Sequence, residues 1–226
     1  MKIEFVTFTG ADDSVPISDL VKFSKDRPNV EWGLLLSLTK KGSPRYPTPT
    51  WLDAFVLSSL RGSGHLCGKA ALQVAWGSWT LVDKYFNPLL AAYQINLFGT
   101  VDLILEKDIL SGLNDVLTDD VIIQADGVHD YMIDFNYGQL GFNTRVLYDK
   151  SGGNGKLGIY KSPHPKYMTG YAGGLNPDNI AEELKKIEDV VGDHTIWIDM
   201  ETGVRSNEMF DLDKCKRVYD LIYSRS

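Results

Sequence analysis

The chain has 226 residues, a formal net charge of −7, 43% hydrophobic and 23% charged residues, and no low-complexity tract. That is the make-up of a folded globular protein with enough apolar material for a sizeable core. No run of five or more Lys or Arg occurs, so no broad nucleic-acid footprint is expected, and an anionic ligand needs a local site. The two cysteines, Cys67 and Cys215, form no CxxC pair, so neither a zinc site nor a redox pair is expected. The start, Met1-Lys2-Ile3-Glu4-Phe5-Val6, is too short and too charged for a signal peptide. No apolar stretch reaches the length of a membrane span. The expectation is a cytoplasmic protein without membrane or nucleic-acid partners.

Short β-branched or apolar runs recur along the chain. They are Ile3–Phe8, Val30–Ser37, Ser63–Cys67, Tyr93–Leu97, Val121–Ala125, Thr144–Tyr148, Tyr167–Ala172 and Thr195–Met200. Their starts lie about 23–32 residues apart, the length of one strand–helix unit. Thr9-Gly10-Ala11-Asp12 follows the first run, where a dinucleotide fold would carry G-x-G-x-x-G. Thr48-Pro49 opens a helix with Trp51, Leu52, Phe55 and Val56 on its apolar side. Trp76 and Trp79 suit either packing on the sheet or a contact between two copies, so monomer and homodimer both stay open. Val128–Tyr137 reads as a short, poorly periodic helix. After the seventh run, Asn176 is the expected N-cap and Pro177 the first helical residue. Ile180, Leu184, Ile187 and Val191 follow at helical spacing, Glu182 and Lys186 form an i,i+4 pair, and Gly192 ends the helix. A last helix carries Leu212, Cys215, Val218 and Ile222, which puts Cys215 in the core. His129, His164 and His194 show no metal-ligand spacing and read as surface residues.

Eight such units imply a parallel sheet covered by helices. A doubly wound open sheet and a closed barrel both satisfy that rhythm. The missing fingerprint and the count of eight select the (βα)8 TIM barrel, as one domain over residues 1–226. In such barrels the site lies on the loops after the strands, often with phosphate after strands seven and eight. There the chain has Ala172-Gly173-Gly174-Leu175-Asn176-Pro177 and Glu201-Thr202-Gly203-Val204. Gly173, Gly174, Thr202 and Gly203 are therefore the candidate phosphate cup, although Gly-Gly is also the composition of a plain tight turn. Asp149 ends the sixth strand, before Ser151-Gly152-Gly153-Asn154-Gly155-Lys156. It is placed either as a general acid or base or as a cap on that loop. His65 and Cys67 alternate onto one face of the third strand, as an acid–base or nucleophilic pair or as small core filler. Glu31, Gln94, Asn96 and Gln124 put polar groups on strands where a plain scaffold prefers Val or Ile.

Several of these runs together resemble phosphoribosylanthranilate isomerase. Val146-Leu147-Tyr148-Asp149-Lys150-Ser151-Gly152-Gly153-Asn154-Gly155-Lys156 is similar to its sixth-strand motif. Ala172-Gly173-Gly174-Leu175-Asn176-Pro177-Asp178-Asn179 is similar to its seventh-strand phosphate loop, and Ile198-Asp199-Met200-Glu201-Thr202-Gly203-Val204 to its eighth-strand motif. Pro44-Arg45-Tyr46 resembles the arginine-bearing loop after its second strand, and Tyr93-Gln94-Ile95-Asn96-Leu97-Phe98-Gly99 its fourth strand. The resemblance implies a phosphosugar isomerase that needs no cofactor or metal. It makes Asp149 the acid, Arg45 a substrate contact, and Gly173, Gly174 and Gly203 phosphate contacts. Gln94 and Asn96 are further candidate substrate contacts and Gly153 and Thr202 further candidate phosphate contacts, although Glu201-Thr202 stands where the family's eighth-strand motif has small residues before the glycine. The family's first-strand base is a cysteine, and here that position is Thr9, whose hydroxyl is a poor base near neutral pH. Thr9 is then expected to hydrogen-bond the substrate. Strand eight closes beside strand one, so Glu201 is a candidate base, as is Cys67; an ordinary salt bridge is the other reading of Glu201. The expected activity is an isomerisation or related acid–base reaction on a phosphorylated small molecule, with altered chemistry. The unaltered isomerase and a non-catalytic phosphate-ligand-binding or sequestering protein on the same fold are the rivals.

Overall fold

The computed structural model describes residues 1–36, 40, 42–58, 60, 64–68, 92–96, 120–125, 144–149 and 159–224, with 36, 64–68, 92–96, 120, 121 and 125 described by their backbone alone. Eight of the strands in these segments form one sheet: β1 (Lys2–Thr9), β2 (Val30–Leu36), β3 (Gly64–Gly68), β4 (Ala92–Asn96), β5 (Asp120–Ala125), β6 (Thr144–Tyr148), β7 (Met168–Tyr171) and β8 (Thr195–Met200). They pair in chain order, all parallel, and close into a barrel where β1 meets β8. The TIM-barrel architecture expected from the strand rhythm is the architecture found. At the closing seam Lys2 pairs with Thr195 and Phe8 with Met200, with an irregularity between Ile3 and Val6.

Strand alternation divides the apolar side chains into two sets. One set packs outward against the helices α1 (Ile17–Lys25), α2 (Pro49–Leu57), α3 (Ile180–Val191) and α4 (Leu212–Tyr223), and includes Val6, Phe8, Trp32, Leu34, Val146, Ile196 and Ile198. The other faces the barrel interior and joins Ile122, Leu147 and Trp197, with Phe5 and Met168 against them. Trp197 fits there because β7 has glycine beside it: a Cβ on Gly170 would lie 2.2 Å from the indole. Below the mouth, Arg145 on β6 reaches across the interior to Glu31 on β2, with Nη2 3.2 Å from Oε2. Thr7 donates to the other Glu31 oxygen at 3.1 Å. The Arg145 guanidinium lies over the rings of Phe5 and Trp197, which lets it keep apolar neighbours while its charge is met.

The helices follow their local signals closely. Thr48 accepts a hydrogen bond from the Trp51 N–H with Pro49 next to it, as an N-cap should. Ile180, Leu184, Ile187 and Val191 are buried on α3, as are Cys215, Val218 and Ile222 on α4. Gly192 stops α3 in a positive-φ conformation, φ 57°.

The regular part of α3 runs from Ile180, and Asn176 caps the turn that leads into it, as expected: its Oδ1 accepts from the N–H groups of Asp178 and Asn179, and its carbonyl accepts from the Ile180 N–H. Two expectations need correction. Lys186 pairs with Glu183 at 2.6 Å, three residues before it, rather than with Glu182. Glu183 is buried and also accepts from Tyr160 Oη, so it offers the stronger anion. His164 is buried, not a surface residue: its ring stacks on Tyr167 and Nδ1 accepts from the Lys166 N–H. His194 is exposed. Val128–Tyr137, His129, Trp76 and Trp79 lie outside the described residues.

Candidate functional site

The C-terminal ends of β6, β7 and β8 enclose an open cavity of about 350 Å³, its mouth included. Asp149, Asp199, Glu201, Gly173, Gly174 and Gly203 are among the residues that line it. Gly173 and Gly174 take positive φ values of 102° and 69°, a conformation open to glycine at no steric cost. Their N–H groups donate to no protein acceptor among the described residues, so they are available to an anion. The lead-in turn of α3 is not: the Asn176 N–H donates to Asn179 Oδ1, and the next two donors go to Asn176. Gly203 serves a different end. A Cβ there would lie 1.9 Å from the Leu175 carbonyl oxygen, so only glycine lets the two loops close into one cup.

Asp199 sits on β8 with its side chain inside the barrel, 7% exposed. Its Oδ1 accepts from Thr9 Oγ1 at 2.6 Å. Gly33 makes room for that contact, since a Cβ there would meet Thr9 Oγ1 at 2.2 Å. Oδ2 has no hydrogen-bond partner among the described residues. Burial, reinforced by the charges of Glu201, Asp149 and Glu31 and opposed by the Thr9 hydrogen bond, pushes the Asp199 carboxyl up to about 8. Asp199 therefore carries a proton at neutral pH. Asp149, 8% exposed at the end of β6, accepts from Gln124 Nε2 on β5 at 2.9 Å.

Glu201 is ion-paired with Arg45, Nη1 to Oε1 2.8 Å, and the same nitrogen lies 3.3 Å from Thr202 Oγ1. Burial still moves Glu201 above its ordinary range, although Arg45 opposes the shift. Arg45 holds a positive φ of 78°, uncommon for a residue other than glycine. Its N–H donates to Asp12 Oδ2 at 2.6 Å, and Arg205 Nη2 donates to the same oxygen at 2.6 Å. Arg205 also donates to the Gly10 carbonyl. The loops after β1, β2 and β8 are thus bolted together around Asp12. Burial raises the Asp12 carboxyl, but the hydrogen bonds from Ser14, Arg45 and Arg205 outweigh it and hold it below its ordinary value.

Of the residues singled out in the sequence, Asp149, Gly173, Gly174, Glu201, Thr202 and Gly203 come together around the cavity. Thr9 lies at the same end with its hydroxyl engaged by Asp199, and Arg45 reaches in only as far as Glu201 and Thr202. His65 and Cys67 fall on β3, Gln94 and Asn96 on β4. His65 pairs in register with Gly33 and Cys67 with Gln94, and their side chains are outside the described set. Gly153 is outside it too. Asp199 is the residue the sequence reading passed over as a site. Its signal was present: a charged residue in Thr195-Ile196-Trp197-Ile198-Asp199-Met200, two positions beyond Trp197 and so on the same face. Among the described residues no group of three or more His, Cys, Asp or Glu is arranged to hold a metal ion. No helix among them is long and apolar enough to cross a membrane.

No protein-family model matches the chain, and no curated protein matches it. Solved structures do. The chain is similar to N-(5'-phosphoribosyl)anthranilate isomerase from Pyrococcus furiosus, with TM-score 0.58 and 15% identity over 97% of this chain and 98% of that one. It is similar to phosphoribosyl anthranilate isomerase from Thermococcus kodakaraensis, with TM-score 0.62 and 15% identity over 98% and 99%. It is also similar to KGPDC from Streptococcus mutans, solved in complex with a phosphosugar, with TM-score 0.52 and 12% identity over 98% and 99%. Identities this low leave the chemistry open, and what the likeness shows is the fold: the chain is built as these barrels are, end to end.

Proposed function

We propose that the protein binds a phosphorylated sugar-like molecule in the β6–β8 cup and moves a proton on it, as an isomerase-type enzyme without a cofactor. One observation carries the reading: two glycine N–H groups without protein acceptors and two buried acids, Asp149 and Asp199, line the same cavity. The N–H groups suit a phosphate, and the acids reach the carbon chain attached to it. Asp149 is the catalytic acid–base residue. Asp199, protonated at neutral pH, is its partner, and Thr9 fixes the orientation of Asp199. Glu201 completes the acidic wall. The phosphosugar held by the Streptococcus barrel of the same architecture supports the ligand class.

The test is proton exchange. A panel of sugar phosphates is incubated with the protein in heavy water and followed by NMR. Deuterium should enter one of them at a carbon-bound position. Asp149→Asn should slow that exchange by roughly 100-fold or more while phosphate binding, read by calorimetry, is kept. Undiminished exchange in Asp149→Asn overturns the role given to Asp149. The non-catalytic reading is favoured by the engagement of Thr9 with Asp199 and of Glu201 with Arg45. It predicts sugar-phosphate binding with no exchange at all.

A further inference from the structure

Two buried aspartates line the cup with different hydrogen-bonding roles. Asp149 is met by an amide donor, Gln124 Nε2, 2.9 Å from its Oδ2, and so acts as an acceptor. Asp199 lies inside the ring of strands, and Thr9 Oγ1 donates to its Oδ1 at 2.6 Å. Its Oδ2 has no hydrogen-bond partner among the described residues, yet that atom is not sealed in protein, and the residue lines the cavity. The groups that face Asp199 are the Thr9 hydroxyl on β1 and the carboxyls of Glu31 on β2, Asp149 after β6 and Glu201 after β8. Arg45 meets Glu201, not Asp199. Burial and these like charges outweigh the Thr9 bond and keep Asp199 protonated at neutral pH. Since Oδ1 is the oxygen that accepts from Thr9, the proton belongs on Oδ2, and the O–H opens toward the ligand. A buried donor placed in this way is matched by an oxygen that accepts, and best by one that gains charge as the reaction proceeds, which a carbonyl oxygen does and an alcohol does not.

We propose that Asp199 Oδ2 donates a proton to a carbonyl oxygen of the ligand, and that the ligand is an open-chain aldose or ketose phosphate with a hydroxyl beside that carbonyl. The inference rests on the phosphosugar reading above and adds the reacting group and the identity of the acid. Asp149 takes the proton from the carbon beside the carbonyl. The C–H electron pair becomes a C=C bond, the carbonyl π pair moves to oxygen, and that oxygen takes the Asp199 proton. In the enediol so formed, Asp149 returns its proton to the former carbonyl carbon, the second oxygen gives its proton to Asp199, and the carbonyl has moved by one carbon. Both acids end as they began. Thr9 is a positioning residue: its bond to Oδ1 keeps Oδ2 turned to the cavity.

The experiment is calorimetric titration of the full chain at pH 7 and pH 9 with ribulose 5-phosphate, ribitol 5-phosphate and inorganic phosphate. Phosphorylation of the terminal hydroxyl keeps this ketose open-chain, so the two pentose compounds differ as carbonyl against alcohol at one carbon. At pH 7 the ketose should bind at least about tenfold more tightly than the polyol. At pH 9, above the value of about 8 that Asp199 holds, the preference should fall to about threefold or less. Asp199→Asn keeps an acceptor for Thr9 and an N–H toward the ligand, so its preference should persist and no longer depend on pH. The same variant should slow deuterium uptake into the ketose from heavy water by roughly 100-fold or more, because an amide has no proton to give. Thr9→Val removes a donor that favours the ionised carboxyl and should move the loss of preference to higher pH. Equal binding of ketose and polyol at pH 7, a preference unchanged between the two pH values, no deuterium uptake into the bound ketose, or undiminished uptake in Asp199→Asn overturns this inference and leaves the phosphosugar reading standing. No binding of any phosphate, inorganic phosphate included, overturns both.

Discussion

Asp199 sets a pH dependence that can be read without knowing the substrate. Its ordinary value is 3.8 and burial raises it to about 8 in the fold. Below pH 3.8 the group is protonated whether the chain is folded or not. As pH rises from there through about 8, the unfolded chain releases the proton and the folded chain keeps it or bears a buried charge, so stability falls. Asp199→Asn removes the titration and retains the acceptor for Thr9. The variant should match the parent near pH 4 and exceed it by about 3 kcal/mol or more at pH 9, as measured by urea unfolding at both pH values. A constant difference across that range would contradict the assignment. At the same scale, Gly33→Ala forces a Cβ to 2.2 Å from Thr9 Oγ1 and should cost about 1–3 kcal/mol in the same assay. These details were only half legible in the sequence. Asp149 and the glycines stood out because their neighbours formed recognisable runs. Asp199 did not, because its importance comes from which residues surround it across the barrel, and no local pattern records that. His164 was misread for the same reason: its burial depends on the stacking of Tyr167 and on Thr169 Oγ1, which accepts from its backbone N–H.

At the scale of elements, the sequence signals are strong where one residue's own chemistry decides the outcome. Thr48 caps α2 and Gly192 ends α3 because hydroxyl geometry and φ 57° leave few alternatives. Thr48→Ala should lower stability by about 1 kcal/mol, the loss including the bond from its hydroxyl to Asp13 Oδ1. Gly192→Ala should cost about 1 kcal/mol from backbone strain alone, since nothing lies within 4 Å of the new methyl. Thermal unfolding resolves both, and a neutral Gly192→Ala would mean that the backbone relaxes there. Signals fail where two local solutions compete. Glu182 and Glu183 both suit Lys186 by spacing. Burial beside Tyr160 chose the second.

Across the whole molecule, the barrel was legible from rhythm: eight runs at strand–helix spacing, with the fingerprint of the rival fold absent. What rhythm did not reveal is that the interior is held partly by charge. Arg145 and Glu31 link strands on opposite sides of the ring. Glu31→Gln or Arg145→Met alone should cost about 3–5 kcal/mol by stranding a buried charge. The double variant should recover much of that loss, so a double-mutant cycle by denaturant titration should return a strongly favourable coupling. Additive losses would show that the pair acts as two independent packing groups.

The seam between β1 and β8 has a consequence in time. Thr9 and Asp199 are separated by 190 positions, so β1 emerges from the ribosome long before the strand that will cover its outer edge. At 5–20 residues per second, β1 waits roughly 10–40 s with one row of backbone donors and acceptors open to any passing strand. Charged residues flank that early strand, Lys2 and Glu4 at its start and Asp12 and Asp13 just past its end. Charges so placed disfavour edge-to-edge pairing with another chain before the ring exists.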